Sequence, residues 1–176
     1  FCAYPLPVVI NPKTAFGTGH HQSTALCLKV LARWFKAGKI KPGQTFFDLG
    51  TGSGILAIAS ARLGLTGLAC DIDPVAVENA LENRALNGLD GKFEVRLGDV
   101  SLARGQTFDC VMANILADPL KEMAPALALR LANGGSLVLS GILEAQAAAV
   151  EEAFMAEGLP KADWVVEEGW AALVWG

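Results

Sequence analysis

Asp48-Leu49-Gly50-Thr51-Gly52-Ser53-Gly54, followed by Asp71-Ile72-Asp73, decides how this sequence folds. Thr45 to Leu49 reads as a strand and the glycines as a tight turn. Ile55 to Leu63 reads as a helix ended by Gly64, and Gly67 to Asp71 as the next strand. Strand, turn, helix and strand in that order make a βαβ unit with a crevice at the carboxyl ends of its strands. Glycine backbone lets a ligand approach the turn. A carboxylate roughly 20 residues further on can accept hydrogen bonds from both hydroxyls of a ribose.

The same alternation runs through most of the chain. Residues 1–14, with Pro5, Pro7 and Pro12, read as an extended leading segment carrying a short strand at Val8 to Ile10. Ala15-Phe-Gly-Thr-Gly-His-His21 reads as a glycine-punctuated loop whose Gly17 and Gly19 would let it hinge as a lid. Ser23 and Thr24 are good helix starters, and Leu26, Val30, Leu31 and Phe35 recur on one helical face up to Lys36. Pro74 to Leu86 is a predicted helix with Asp73 as its cap and Asn87-Gly88 at its end. Phe93 to Leu97 is a strand. Phe108 to Ala113 is a strand without polar alternation, as expected when both faces are buried. A helix is predicted from Asp118-Pro119 to about Ala132, stopped by Asn133-Gly134-Gly135, and then a buried strand over Ser136 to Ser140. Glu144 to Ala156 reads as a helix ended by Gly158, and Asp163 to Glu168 with Ala171 to Trp175 as a hairpin. Helices between strands imply right-handed crossovers and a mostly parallel sheet, hence one α/β domain over 15–176 after the leading segment.

Composition agrees with one globular domain: 176 residues, 52% hydrophobic and 18% charged. A net charge of -4 and a pI of about 5.2 argue against a broad polyanion-binding surface, so no direct nucleic-acid partner is expected. No apolar run is long enough for a bilayer and no signal peptide is visible, so a cytoplasmic location without membrane attachment is expected. The chain does not open on Met, which leaves room for a recognition domain upstream. Cys2, Cys27, Cys70 and Cys110 form no C-x-x-C pair and have no histidine at ligand spacing. They read as small hydrophobes in a reducing compartment, with no metal site expected.

The spacing of the glycines selects the ligand. A dinucleotide turn needs G-x-G-x-x-G, but here Ile55 stands where the third glycine would fall. A phosphate-binding loop needs G-K-[ST], and no lysine follows the turn. S-adenosylmethionine has no phosphate; it presents a carboxylate, an ammonium, a ribose diol and an adenine. Asp48 at the base of the turn, with Gly50, Gly52 and Gly54, suits those groups. Asp71, with Ile72 beside it, stands where the ribose is held. Asp99, after Gly98, reads equally as a partner for the adenine amino group or as a turn residue. Asn114, a lone polar residue after an apolar strand, falls at the ligand-binding edge of the sheet. His20 and His21 are the only histidines and read as backbone-bonding loop residues rather than as a catalytic base.

Taken together, the chain resembles a known family. The carriers are Ala15-Phe-Gly-Thr-Gly-His-His-Gln-Ser-Thr24, Asp48-Leu-Gly-Thr-Gly-Ser-Gly-Ile-Leu-Ala-Ile-Ala59, Asp71-Ile-Asp-Pro74, Ala113-Asn-Ile-Leu-Ala117 and Leu139-Ser-Gly-Ile-Leu143. In that order they look like the PrmA family, lysine methyltransferases of large-subunit ribosomal protein eleven. The resemblance implies a Rossmann-like class I S-adenosylmethionine-dependent methyltransferase fold, a three-layer sandwich whose seven-stranded, mostly parallel sheet has its last strand inserted antiparallel. It also implies that Thr24, Gly50, Asp71 and Asn114 bind S-adenosylmethionine and that a ribosomal protein is the substrate; for the transfer itself, Asn114 is expected to position the acceptor amine through its side-chain carbonyl. Thr24 enters through the resemblance alone, since a Thr at a helix start is usually a cap. The family usually carries a small N-terminal recognition domain, which this sequence does not contain, and often has Thr-Thr where Ser23-Thr24 stand. Rival readings are another protein lysine, a glutamine or a small molecule as acceptor, or a non-catalytic nucleoside- or NAD-binding module. Glutamine- and base-modifying relatives commonly show Asn-Pro-Pro-aromatic, whereas here Asn114 is followed by Ile115, Leu116 and Ala117.

Overall fold

The structure is a computed structural model that describes residues 7–11 and 21–176. Its elements run α1 (Gln22–Lys36), β1 (Thr45–Leu49), α2 (Ile55–Arg62), β2 (Thr66–Asp71), α3 (Pro74–Leu86) and β3 (Phe93–Leu97). A single 3-10 turn follows (Val100–Ala103). Then come β4 (Phe108–Asn114), α4 (Ala117–Glu122), α5 (Ala124–Ala128), β5 (Leu131–Leu143), α6 (Glu144–Ala156), β6 (Asp163–Glu167) and β7 (Trp170–Trp175).

Among the described residues the strands form one seven-stranded sheet in the order β3-β2-β1-β4-β5-β7-β6. β1 pairs in parallel with β2 and β4, and β4 with β5, while β7 slots in antiparallel between β5 and β6. The order reverses between β1 and β4, so the crossovers leave β1 toward opposite edges and a crevice opens above their carboxyl ends.

Alternate residues of the central strands feed two separate cores. Phe46, Met112 and Val138 face α1 and α2, joining Leu26, Leu31 and Ile58. Phe47, Val111 and Leu137 face the other way, joining Leu120, Leu127 and Phe154. Helices on both faces explain why these strands read as unbroken apolar runs. Gly67 sets how closely β1 and β2 approach: a Cβ there would lie 2.0 Å from the Phe46 carbonyl oxygen.

The structure corrects several sequence-based expectations. The helix predicted over Asp118 to Ala132 is two short helices broken at Met123. Pro125 stands in the first turn of α5, where its missing N–H costs nothing, whereas within one continuous helix its ring would strike the carbonyl of Lys121. Asn133-Gly134-Gly135 does not stop a helix but bulges out of β5: Phe108 pairs with Leu131, and Cys110 only with Ser136. Val8 to Ile10 forms no strand. The helix predicted to start at Ser23 and Thr24 is capped by His21, whose ring accepts from the Ser23 amide, so both hydroxyl residues turn inward and are buried. The loop Ala15 to His20 lies outside the described residues, as do 1–6 and 12–14 of the leading segment. Among the described residues no helix is long and apolar enough to cross a membrane.

Gly67→Ala is expected to lower stability by about 1–3 kcal/mol through overpacking, read as an earlier urea midpoint. An unchanged midpoint would mean that β1 and β2 part without cost.

Candidate active site

A cavity of about 670 Å³ opens above the switch between β1 and β4, within the range of small-molecule sites. Gly50, Thr51 and Gly52 supply its floor after β1, Asp71 and Ile72 one wall after β2, and Gly98 with Asp99 the next after β3. Asn114 and Ile115 after β4, with Thr24 from α1, close the far side.

The glycine turn is held from beneath. Asp48, at 1% exposure, accepts with one oxygen from both the Thr51 hydroxyl (2.6 Å) and the Ala57 amide (3.2 Å), while its Oδ1 has no partner among the described residues. Asp48 therefore lies behind the cavity wall rather than on it. Gly54 lies off the wall too: at φ 84° it caps α2, where a Cβ would stand 3.2 Å from that of Ala80. The sequence reading placed both with the ligand; the structure places them as supports of the turn.

Asp71 is on the wall. One oxygen accepts from the Gly52 amide (2.9 Å) and the other from the Asp73 amide (3.0 Å). A carboxylate has about four acceptor positions, so each oxygen keeps one for the cavity. Asp73 itself caps α3 by accepting from the Val75 amide at 2.9 Å. Ile72, 77% exposed, offers an apolar face at the rim. Asp99 is a turn residue that stands at the cavity. Its side chain caps the 3-10 turn by accepting from Ser101, which draws its carboxyl below the usual range, and it also lines the cavity.

Asn114 is the polar end of β4. Its Nδ2 donates to the Thr24 hydroxyl oxygen at 3.1 Å, and its Oδ1 is buried with no partner among the described residues. Ile115 fixes the backbone that follows. A Cβ on Gly50 would lie 2.3 Å from its Cγ2, and one on Gly141 would lie 2.5 Å from its carbonyl oxygen. Both glycines also hold positive φ, so larger residues are excluded twice over.

Sequence reasoning missed part of the lining. Trp170 and Met123 face the cavity, and His21 stacks edge-on to Trp170 with centroids 4.5 Å apart. No motif flags Trp170, which reaches the site only because β7 inserts beside β5. His20 lies outside the described residues. Cys27, Cys70 and Cys110 are buried free thiols, and burial pushes Cys27 and Cys70 up to about 12 and raises Cys110 as well. Among the described residues no cluster of His, Cys, Asp or Glu is placed to hold a metal ion.

A family model described as ribosomal protein L11 methyltransferase (PrmA) matches residues 4–175. The chain belongs to the PrmA family. It is 47% identical over 173 residues to the ribosomal protein L11 methyltransferase of Thiobacillus denitrificans, a match covering 96% of this chain and 54% of that relative. The chain spans about half the length of the curated relatives it matches. The crystal structure of a ribosomal protein L11 methylase from Lactobacillus delbrueckii subsp. bulgaricus superposes with a TM-score of 0.82 at 33% identity, over 95% of this chain and 83% of that one. An RNA methyltransferase from Salinibacter ruber, solved in complex with S-adenosyl-L-homocysteine, gives a TM-score of 0.66 at 24% identity, over 84% of this chain and 89% of that one, and shares the fold. The PrmA-family sheet is thus the Rossmann-like class I methyltransferase sheet, its seventh strand antiparallel, as the resemblance implied.

Burial lifts Asp48 of this PrmA-family chain to about 7, opposed by the Thr51 and Ala57 hydrogen bonds and helped by the Asp71 charge. The unfolded value is about 3.9. Between the two, the folded chain keeps a proton that the unfolded chain releases. The contribution of Asp48 to stability is therefore greatest below about pH 4 and is lost as pH rises toward 7. Asp48→Asn preserves the accepting oxygen and places an amide where Oδ1 lacks a partner. Its denaturation midpoint is expected to gain on the wild type from about pH 4 to 7, with a constant difference above that. Parallel profiles throughout would show that Asp48 is ionised in the folded chain.

Proposed function

We propose that this chain is a protein methyltransferase that uses S-adenosylmethionine to methylate lysine amino groups of ribosomal protein L11 in the cytoplasm. Asn114 carries the reading: it lines the cavity, and its carbonyl oxygen is buried with no partner among the described residues. A buried acceptor without a donor costs about 1–3 kcal/mol, and an amine nitrogen entering the cavity would supply the missing N–H.

The remaining residues fit the adenosyl donor. Asp71 has one open acceptor position per oxygen for the ribose diol, Ile72 an apolar face for the adenine ring, and Asp99 a carboxylate for its amino group. Gly50 and Gly52 leave the turn bare on the cavity side. Thr24 accepts from Asn114 and keeps its own hydroxyl proton to donate to the cofactor. When bound, S-adenosylmethionine supplies a methyl group already activated by the positive charge on sulfur.

This chain mainly aligns the reactants. Asn114, its amide fixed by Thr24, orients the amine lone pair toward the methyl group. The amine must arrive deprotonated, and desolvation in the cavity lowers its pKa from about 10.4. No general base takes part: the proton leaves to solvent as the amine is desolvated on entry.

The test pairs calorimetry with single-turnover transfer from labelled S-adenosylmethionine to ribosomal protein L11, read by mass. S-adenosylmethionine and S-adenosylhomocysteine are expected to bind and NAD is not. Asp71→Ala is expected to weaken cofactor binding about 10–100-fold, as charge-assisted hydrogen bonds are lost. Asn114→Ala is expected to slow transfer about 10–100-fold, equivalent to roughly 1.4–2.8 kcal/mol. Tight NAD binding, or an Asn114→Ala chain with wild-type transfer, would refute the reading.

A further inference from the structure

A row of buried asparagines on α3 lies outside the cavity. Asn79, Asn83 and Asn87 follow one another at four-residue spacing, the last as the helix cap, and all are buried. Four helical residues rise about 6 Å, and two residues of extended chain rise about 6.6 Å. The leading segment uses that match. The Val9 amide donates to Asn87 Oδ1 (3.0 Å), and Asn87 Nδ2 donates back to the Val9 carbonyl (2.7 Å). One rung further, the Asn11 amide donates to Asn83 Oδ1 (2.8 Å), and its carbonyl accepts from Asn83 Nδ2 (3.3 Å). The side-chain amides thus act as the neighbouring strand that Val8 to Ile10 lacks.

The same amide reaches the site. Asn83 Nδ2 donates to the Ser53 carbonyl in the glycine turn at 2.9 Å, and the adjacent Gly52 amide donates to Asp71. Asn79 Oδ1 accepts from Asn83 Nδ2 at 3.2 Å and helps set which way that amide faces. If Asn11 undocks, Asn83 Oδ1 loses its donor in a buried setting, and the amide is held toward Ser53 by its Nδ2 bonds alone.

We propose that Asn83 and Asn87 are positioning residues that couple docking of the leading segment to the glycine turn, so that docking and cofactor binding strengthen each other. The coupling rests on the cofactor reading given above. By reciprocity, the factor by which bound cofactor favours the docked segment equals the factor by which docking raises cofactor affinity.

The test is amide hydrogen exchange at Val9 and Asn11 in the full chain, with and without saturating S-adenosylhomocysteine, alongside calorimetry on Asn87→Leu. That variant frees Val9 but keeps the Asn83 bond to Ser53, and the wild-type exchange measurement needs no variant at all. Saturation is expected to slow exchange at both amides by about fivefold or more, at the low end of ordinary coupling between sites. Asn87→Leu is expected to speed Val9 exchange and to weaken S-adenosylhomocysteine binding severalfold. Amides with only a structural role would exchange at rates indifferent to the ligand, and that result, or wild-type affinity in Asn87→Leu, overturns the coupling alone. A wild-type chain that binds neither S-adenosylmethionine nor S-adenosylhomocysteine overturns the cofactor reading, and the coupling with it.

Discussion

Thr24 and Asn114 stand 90 residues apart, and the 3.1 Å hydrogen bond between them ties together the side of the crevice opposite Asp71. It holds the start of α1 against the end of β4 and fixes the Asn114 amide with its carbonyl oxygen unpartnered among the described residues. The bond forms because α1 packs across β4, β5 and β7 and so brings its first turn over the end of β4. Just beyond Asn114, Ile115 is wedged between two glycines that leave room for nothing larger. A long-range fold decision and two missing Cβ atoms thus converge on one side-chain amide.

The two acids of the glycine motif divide the work by depth. Asp48 lies in the core, accepts from Thr51 of the turn and from Ala57 in the first turn of α2, and is driven toward its neutral form by burial. Asp71 sits at the surface of the cavity, tied to two backbone amides with acceptor positions to spare. The neutral tendency of Asp48 suits its neighbourhood: a second full charge under the turn would repel the Asp71 carboxylate that the proposed ribose contact requires.

Local signals in the sequence were enough for most elements. Pro74 at the first turn and Asn87-Gly88 at the end marked α3 at the bounds the structure gives, and Glu144 to Ala156 is α6 as expected. The failures share a cause, which is competition from tertiary context. Helical residues on both sides of Pro125 hid a break, and Asn133 to Gly135 carry the same residues in a strand bulge as in a helix stop. Within the candidate site, Gly50, Gly52, Asp71, Ile72, Asp99 and Asn114 were legible because each ends or closely follows a strand whose carboxyl end meets the crevice. Thr24 came only from family resemblance. Trp170 depends on β7 inserting beside β5, and the Asn83 and Asn87 rungs pair with residues 72 and 78 positions away. No local pattern carries such information.

A crystal structure of the chain with S-adenosylhomocysteine and a lysine peptide of ribosomal protein L11 is the most direct measurement. The Asn114 carbonyl oxygen is expected about 2.7–3.2 Å from the lysine nitrogen, with both ribose hydroxyls on Asp71. A lysine nitrogen bound away from Asn114, or an adenosine whose ribose misses Asp71, would contradict the central claim.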